Sequence, residues 1–195
     1  MRTTSLRLTV AIGALALAAC SEPSSPIAAS ADASLSRGAA AAAAAAKPGS
    51  ATIVQLAQAT PALSTLVFAI GYSDANCGTS FAATLGAADG QFTVFAPTNA
   101  AFATLIGALG QETVLSCDVL PTVLAFHVTR GRHTSTSVLA HDRIRMLSGE
   151  WADVEGTTIA GAPLNLGLVN ISASNGIVHV VDSVLLPPSI LAALE

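Results

Sequence analysis

The chain has 195 residues, of which 52% are hydrophobic, 4% aromatic and 10% charged, with a formal net charge of −4. That length accommodates one well-buried domain and a tail. From Ser50 onward ten acidic residues face four basic ones, so this part is net acidic and unsuited to nucleic acid, where phosphate contacts supply most of the affinity.

Met1 to Cys20 reads as a targeting segment. Arg2 and Arg7 form a positive n-region, and Leu8 to Leu17 is an apolar run too short to span a membrane as a mature helix. Its end, Leu17-Ala18-Ala19-Cys20, resembles the lipobox of bacterial lipoproteins. The resemblance implies cleavage after a signal peptide of residues 1–19, lipidation of Cys20 and attachment to a membrane. An ordinary secretory signal with a chance cysteine is the alternative. Ser21 stands where an aspartate would favour inner-membrane retention, so the resemblance points to the outer membrane or cell surface, facing periplasm or exterior. Residues 20–49 are rich in Ala, Ser and Pro, with eight consecutive alanines from Ala39 to Ala46. Such a segment has little to bury in a core and is expected to be a tether.

A domain over residues 50–191 follows, with 192–195 as a C-terminal tail. Ser50 or Thr52 is placed to cap a helix carrying Ile53, Val54, Leu56 and Ala57. Thr60-Pro61 is a second start signal, and Leu63, Leu66, Val67 and Ile70 then repeat at helical spacing up to Gly71. Asp74 to Gly78 reads as a loop holding Cys77, and Ser80 to Leu85 as a short helix ended by Gly86. Phe92 to Ala96 alternates as a strand buried on both faces, and Pro97 ends it because proline has no N–H to donate. Thr98 or Asn99 then caps a helix whose apolar face holds Phe102, Leu105, Ile106 and Leu109. Gly110-Gln111-Glu112 opens a helical stretch containing Cys117, and Pro121 opens one running into Phe126-His127-Val128.

Beyond Thr129, glycines punctuate short alternating segments that read as hairpins, among them Ile144 to Leu147 and Val154 to Ile159. Arg130-Gly131-Arg132-His133 is expected as a loop. The last strand runs from Ile177 to Leu186, after the turn Ser174-Asn175-Gly176 and before Pro187-Pro188. Helices first and hairpins later make an α+β arrangement. The four basic residues of the domain (Arg130, Arg132, Arg143 and Arg145) share one sixteen-residue window. They are expected as a solvated face, with a binding patch as the alternative.

Thr93 to Phe102 resembles the first signature of the fasciclin (FAS1) domain, and Asn175 to Pro188 resembles its second. Leu124 to Val128 resembles the family's tyrosine–histidine element, with Phe126 where tyrosine is usual. The resemblance implies a wedge of two short β-sheets with helices packed along one side. It also implies an extracellular adhesion or interaction role, with an envelope or matrix protein or polysaccharide as partner. Thr98, Asn99, His127, His179 and Asp182 would then form a buried hydrogen-bond network that locks the strands. The helical rim around Phe126 and His127 and the loops of the hairpin region are the expected partner surface.

His127, His179 and Asp182 also invite a catalytic or metal reading. His179 and Asp182 are three apart on one strand and point to opposite faces, which argues against a triad. No G-x-S-x-G, H-E-x-x-H, P-loop or C-x-x-C occurs. No catalytic residue, metal ligand or cofactor is therefore expected. Cys77 and Cys117 are expected to pair in an oxidising compartment, with two free thiols as the alternative. Trp151 is expected to cap a hairpin core, with an exposed anchor at a partner surface as the alternative. A carrier of an apolar small molecule such as a carotenoid is the second functional reading, and a histidine-dependent hydrolase the third.

Overall fold

The computed structural model describes residues 49–194. The signal peptide, Cys20 and most of the tether lie outside the described residues.

Helix α1 (Ile53–Ala59) starts on a capping box, in which Thr52 accepts from the Gln55 N–H and the Gln55 side chain accepts from the Thr52 N–H. A 3-10 turn (Pro61–Leu63) leads into α2 (Ser64–Asn76), and α3 (Phe81–Gly86) follows. Gly71 does not stop α2. It is exposed, where glycine costs about 1 kcal/mol, while Leu66, Ala69 and Ser73 hold both sides of it to the core. The helix therefore runs to Asn76, through part of the expected loop. Asp74, near its end, reaches forward to accept hydrogen bonds from the Phe81 and Ala82 N–H groups and so caps α3 from outside.

Strand β1 (Phe92–Pro97) is buried throughout, as expected for a strand covered on both faces. Thr98 is the cap of α4 (Asn99–Leu109), accepting from the Ala101 N–H. Asn99 does a different job: its side chain accepts from the Thr65 N–H and donates to the Pro61 carbonyl and the Ser64 hydroxyl, tying α4 to the start of α2. Helices α5 (Gln111–Val114) and α6 (Leu120–Phe126) come next, with Cys117 in the turn between them. Cys117 is disulfide-bonded to Cys77. For a loop of this length, chain entropy makes such a bridge worth about 4 kcal/mol.

The remaining elements are β2 (Val128–Arg130), α7 (Ser135–Leu139), β3 (Arg143–Arg145), β4 (Trp151–Glu155), β5 (Thr158–Ile159), β6 (Ala162–Pro163), β7 (Ile171–Ala173), β8 (Gly176–Val181) and α8 (Pro188–Leu194). Helix α7, capped by Thr134, interrupts the expected run of hairpins. Strand β8 ends at Val181 and not at Leu186. Beyond it the Asp182 N–H bonds to the Pro163 carbonyl and the Leu185 N–H to His127, so the chain leaves the ladder. Residues 192–194, expected in a tail, continue α8.

Among the described residues the strands form two four-stranded sheets, ordered β2-β1-β8-β7 and β3-β4-β5-β6. In the first, β1 and β8 run parallel from Phe92↔Gly176 to Pro97↔Val181, flanked by antiparallel partners. The second is antiparallel throughout. Because β1 alternates, it feeds two cores. Phe92, Val94 and Ala96 pack with Leu56, Leu66 and Leu124 under the helices. Phe95 packs with Phe126, Ile144, Ile159 and Val181 between the sheets. The fold is the expected α+β pair of small sheets with helices along one side.

Candidate functional site

The polar residues singled out by the sequence separate into two groups, one buried and one open. In the buried group, His127 sits at the end of α6 and is 2% exposed. Its Nδ1–H donates to the Val123 carbonyl at 2.7 Å, and its Nε2 accepts from the Leu185 N–H at 2.9 Å. His179 lies mid-way along β8, stacked on Phe95 with ring centres 5.7 Å apart. It has the opposite tautomer. Nε2–H donates to the His133 carbonyl at 2.9 Å, while Nδ1 accepts from the Asn170 N–H at 3.2 Å. Asn170 presents that N–H from a left-handed backbone, φ 58°, which asparagine tolerates.

Burial pushes His127 down to about 4, against the Val123 hydrogen bond that would raise it. Burial also lowers His179, helped by the nearby His133 and opposed by the His133 carbonyl. Both rings are neutral near pH 7 and hold backbone groups with both nitrogens. Neither has a nitrogen left to take a proton from a substrate. Among the described residues no three His, Cys, Asp or Glu side chains converge as a metal site.

Sequence reasoning missed a third member of this group. Asn175, fully buried in the turn before β8, accepts from the Ile53 N–H and donates to the carbonyls of Leu85 and Ala87. Thr93 adds two bonds, donating to the Gly131 carbonyl and accepting from the His133 N–H. Among the described residues every buried side-chain nitrogen or oxygen has a partner. Asp182 does not belong to this network. It lies past the end of β8 on the exposed side, and its carboxylate accepts from the Asn165 side chain at 3.3 Å.

The expected partner surface is also corrected. Phe126 is 0% exposed and packs between the sheets, so neither it nor His127 is available to another molecule. Trp151, expected in a core, is 48% exposed. Its face of β4 is shared with Asp153 and Glu155, while Ala152 points inward.

Trp151 stands beside a groove of about 570 Å³ along β3 and β4, the open group of polar residues. Register places Arg145 opposite Trp151 on the exposed face, with Arg143 one step along the diagonal. The Arg143 guanidinium lies 5.0 Å from the Trp151 ring centre, a cation–π contact. Arg130, His133 and His141 line the same groove, and among the described residues no carboxylate does. The fourth arginine, Arg132, is taken up internally by the Ala173 carbonyl and Ser172 hydroxyl. Beneath the helices lies a separate apolar cavity of about 140 Å³, lined by Phe68, Phe102, Ile106 and Leu120.

The fasciclin domain family matches residues 62–187 of the chain. Protein sll1483 of Synechocystis is 35% identical over 141 residues, which cover 70% of this chain and 74% of that protein. Cell surface glycolipoprotein MPB83 of Mycobacterium bovis is 32% identical over 139 residues, 70% of this chain and 61% of its own length. Immunogenic protein MPB70 of the same species is 30% identical over 100 residues, 51% of this chain and 52% of its own length. The match thus spans only part of each mycobacterial relative. Among solved structures, a FAS1 domain pair from the insect cell adhesion molecule Fasciclin I superposes with a TM-score of 0.56. At 16% identity, over 72% of this chain and 52% of that one, the likeness is one of fold.

Proposed function

The chain belongs to the fasciclin family, and from that premise we propose that it is an exported adhesion module of the cell envelope. In this reading it binds a protein or polysaccharide partner, catalyses nothing, and is held to the membrane through a lipid on Cys20. One observation carries the proposal. The two histidines that the sequence offered for proton transfer, His127 and His179, are consumed inside the fold, while the open chemistry is a groove edged by arginines, His133, His141 and Trp151. That is the profile of a recognition surface on a rigid scaffold. The cell-surface name of one mycobacterial relative, MPB83, agrees with it.

The carrier reading has less support, because the apolar cavity of about 140 Å³ is small beside the ~300–1,000 Å³ of ordinary ligand pockets. The hydrolase reading needs a histidine that both rings deny it.

The test is a deletion strain of the host, assayed for cell aggregation and retention on matrix. We expect both to fall, to return with the wild-type chain, and not to return with Cys20→Ser, which is shed into the medium. A deletion strain that aggregates and adheres like its parent would remove the proposal.

A further inference from the structure

We propose that the groove beside β3 and β4 binds an acidic polysaccharide. Arg130, Arg143 and Arg145 meet its acid groups, and Trp151 supplies an apolar platform for a sugar ring. The inference rests on the adhesion reading and names the partner class within it.

Four observations lead there. The domain carries a net negative charge, yet three of its four basic residues edge one groove that no carboxylate lines. Among the described residues, none of those three guanidinium groups is paired with an acid, so their charge is available. Guanidinium is planar and always charged, and its fork matches carboxylate and sulfate oxygens. Arg143 and Arg145 are two residues apart on one strand, which separates them by about 7 Å on the same face. They can therefore hold successive acid groups of an extended polymer.

Trp151 distinguishes a sugar from a bare anion. Its half-exposed indole presents an apolar face of the kind that stacks against a ring. Arg143 against the ring fixes both side chains before binding, which lowers the ordering cost. The volume of about 570 Å³ falls within the ordinary range for ligand sites.

The surroundings argue against a flat or wide polyanion. Asp142, Glu150 and Asp153 sit beside the groove residues in sequence or register but do not line the groove. An anionic bilayer or a duplex laid across this face would meet these acids as well as the arginines. A single polysaccharide chain within the groove meets the arginines alone.

The experiment uses the full chain in detergent micelles, with binding measured to immobilised polygalacturonate, dextran sulfate and neutral dextran. Phosphatidylglycerol vesicles and duplex DNA form the competing arms. We expect retention on the acidic polymers and not on dextran. The R143A/R145A variant should lose about tenfold or more and flatten the salt dependence. Trp151→Ala should lose about threefold or more and leave the salt dependence unchanged. Asp153→Ala, on the same ribbon, should keep or gain affinity, and matching thermal midpoints should show that every variant is folded. Three results would overturn the proposal: no binding to either acidic polymer, undiminished binding by R143A/R145A, or equal binding to vesicles or DNA.

The two readings fail separately. Polymer binding by the purified chain, together with normal aggregation of the deletion strain, would support the groove and remove adhesion. Impaired aggregation without polymer binding would do the reverse.

Discussion

The two sheets have four strands each and opposite exposure. In the β2-β1-β8-β7 sheet the central pair is buried at every position, and its polar side chains spend all their hydrogen bonds on the protein itself. In the β3-β4-β5-β6 sheet β3 and β4 alternate, one residue inward and the next outward, and the outward residues are Arg143, Arg145, Trp151, Asp153 and Glu155. The same residue types behave differently in the two places. Histidine is a neutral fastener in the first sheet and stands at the edge of an open groove beside the second. What separates the fastened sheet from the open one here is burial on one face or on two.

Substitutions at the central pair should hurt most. Gly176 faces Phe92 across the β1–β8 ladder, and a Cβ there would lie 2.0 Å from the Phe92 carbonyl oxygen. Backbone cannot yield as a side-chain tip can, so Gly176→Ala should cost about 4 kcal/mol or more. A urea midpoint close to that of wild type would show that the pair is looser than its geometry.

Acid should act next, and on the same sheet. In the unfolded chain His127 protonates near its ordinary value of 6.5, whereas in the fold it stays neutral down to about 4. Between those values the unfolded state binds more protons, so stability falls as pH falls through that window, by about 3 kcal/mol for His127. His179 shifts in the same direction and adds to the loss. Urea melts from pH 7 to pH 4 measure it, and His127→Gln should flatten the curve. A curve equally steep in that variant would place the acid sensitivity elsewhere.

The smallest expected effect is on the second sheet. Trp151→Ala should change unfolding free energy by no more than about 0.5 kcal/mol, because the ring is half exposed and closes no core. A loss above about 2 kcal/mol would return Trp151 to the structural side of the comparison.

Legibility in the sequence follows the range of the interactions. Strand β1 and its stop at Pro97 depend on neighbours within a few residues and were readable, and the cap that follows was narrowed to Thr98 or Asn99. Asn175 was not. Its partners are Ile53, Leu85 and Ala87, far away in the chain and all backbone, which leaves no pattern in the residues around it. The pairing of Cys77 with Cys117 was readable from chemistry, since these two cysteines remain once Cys20 is read as the lipidation site. Trp151 misled because ring size argued for burial, while its parity with Asp153 and Glu155 already placed it outside. The groove joins the end of β2 to β3 and β4, and that juxtaposition exists only after folding.

The parallel pairing of β1 with β8 also governs when the molecule comes into being. Phe92 cannot meet Gly176 until the chain between them has been made. A ribosome delivering this chain therefore holds a polypeptide whose first sheet has no centre until β8 has emerged. Contacts of such sequence separation form slowly, after a large loop-closure cost. The helices between the two strands can form before that, so the centre of the first sheet is among the later contacts to be made.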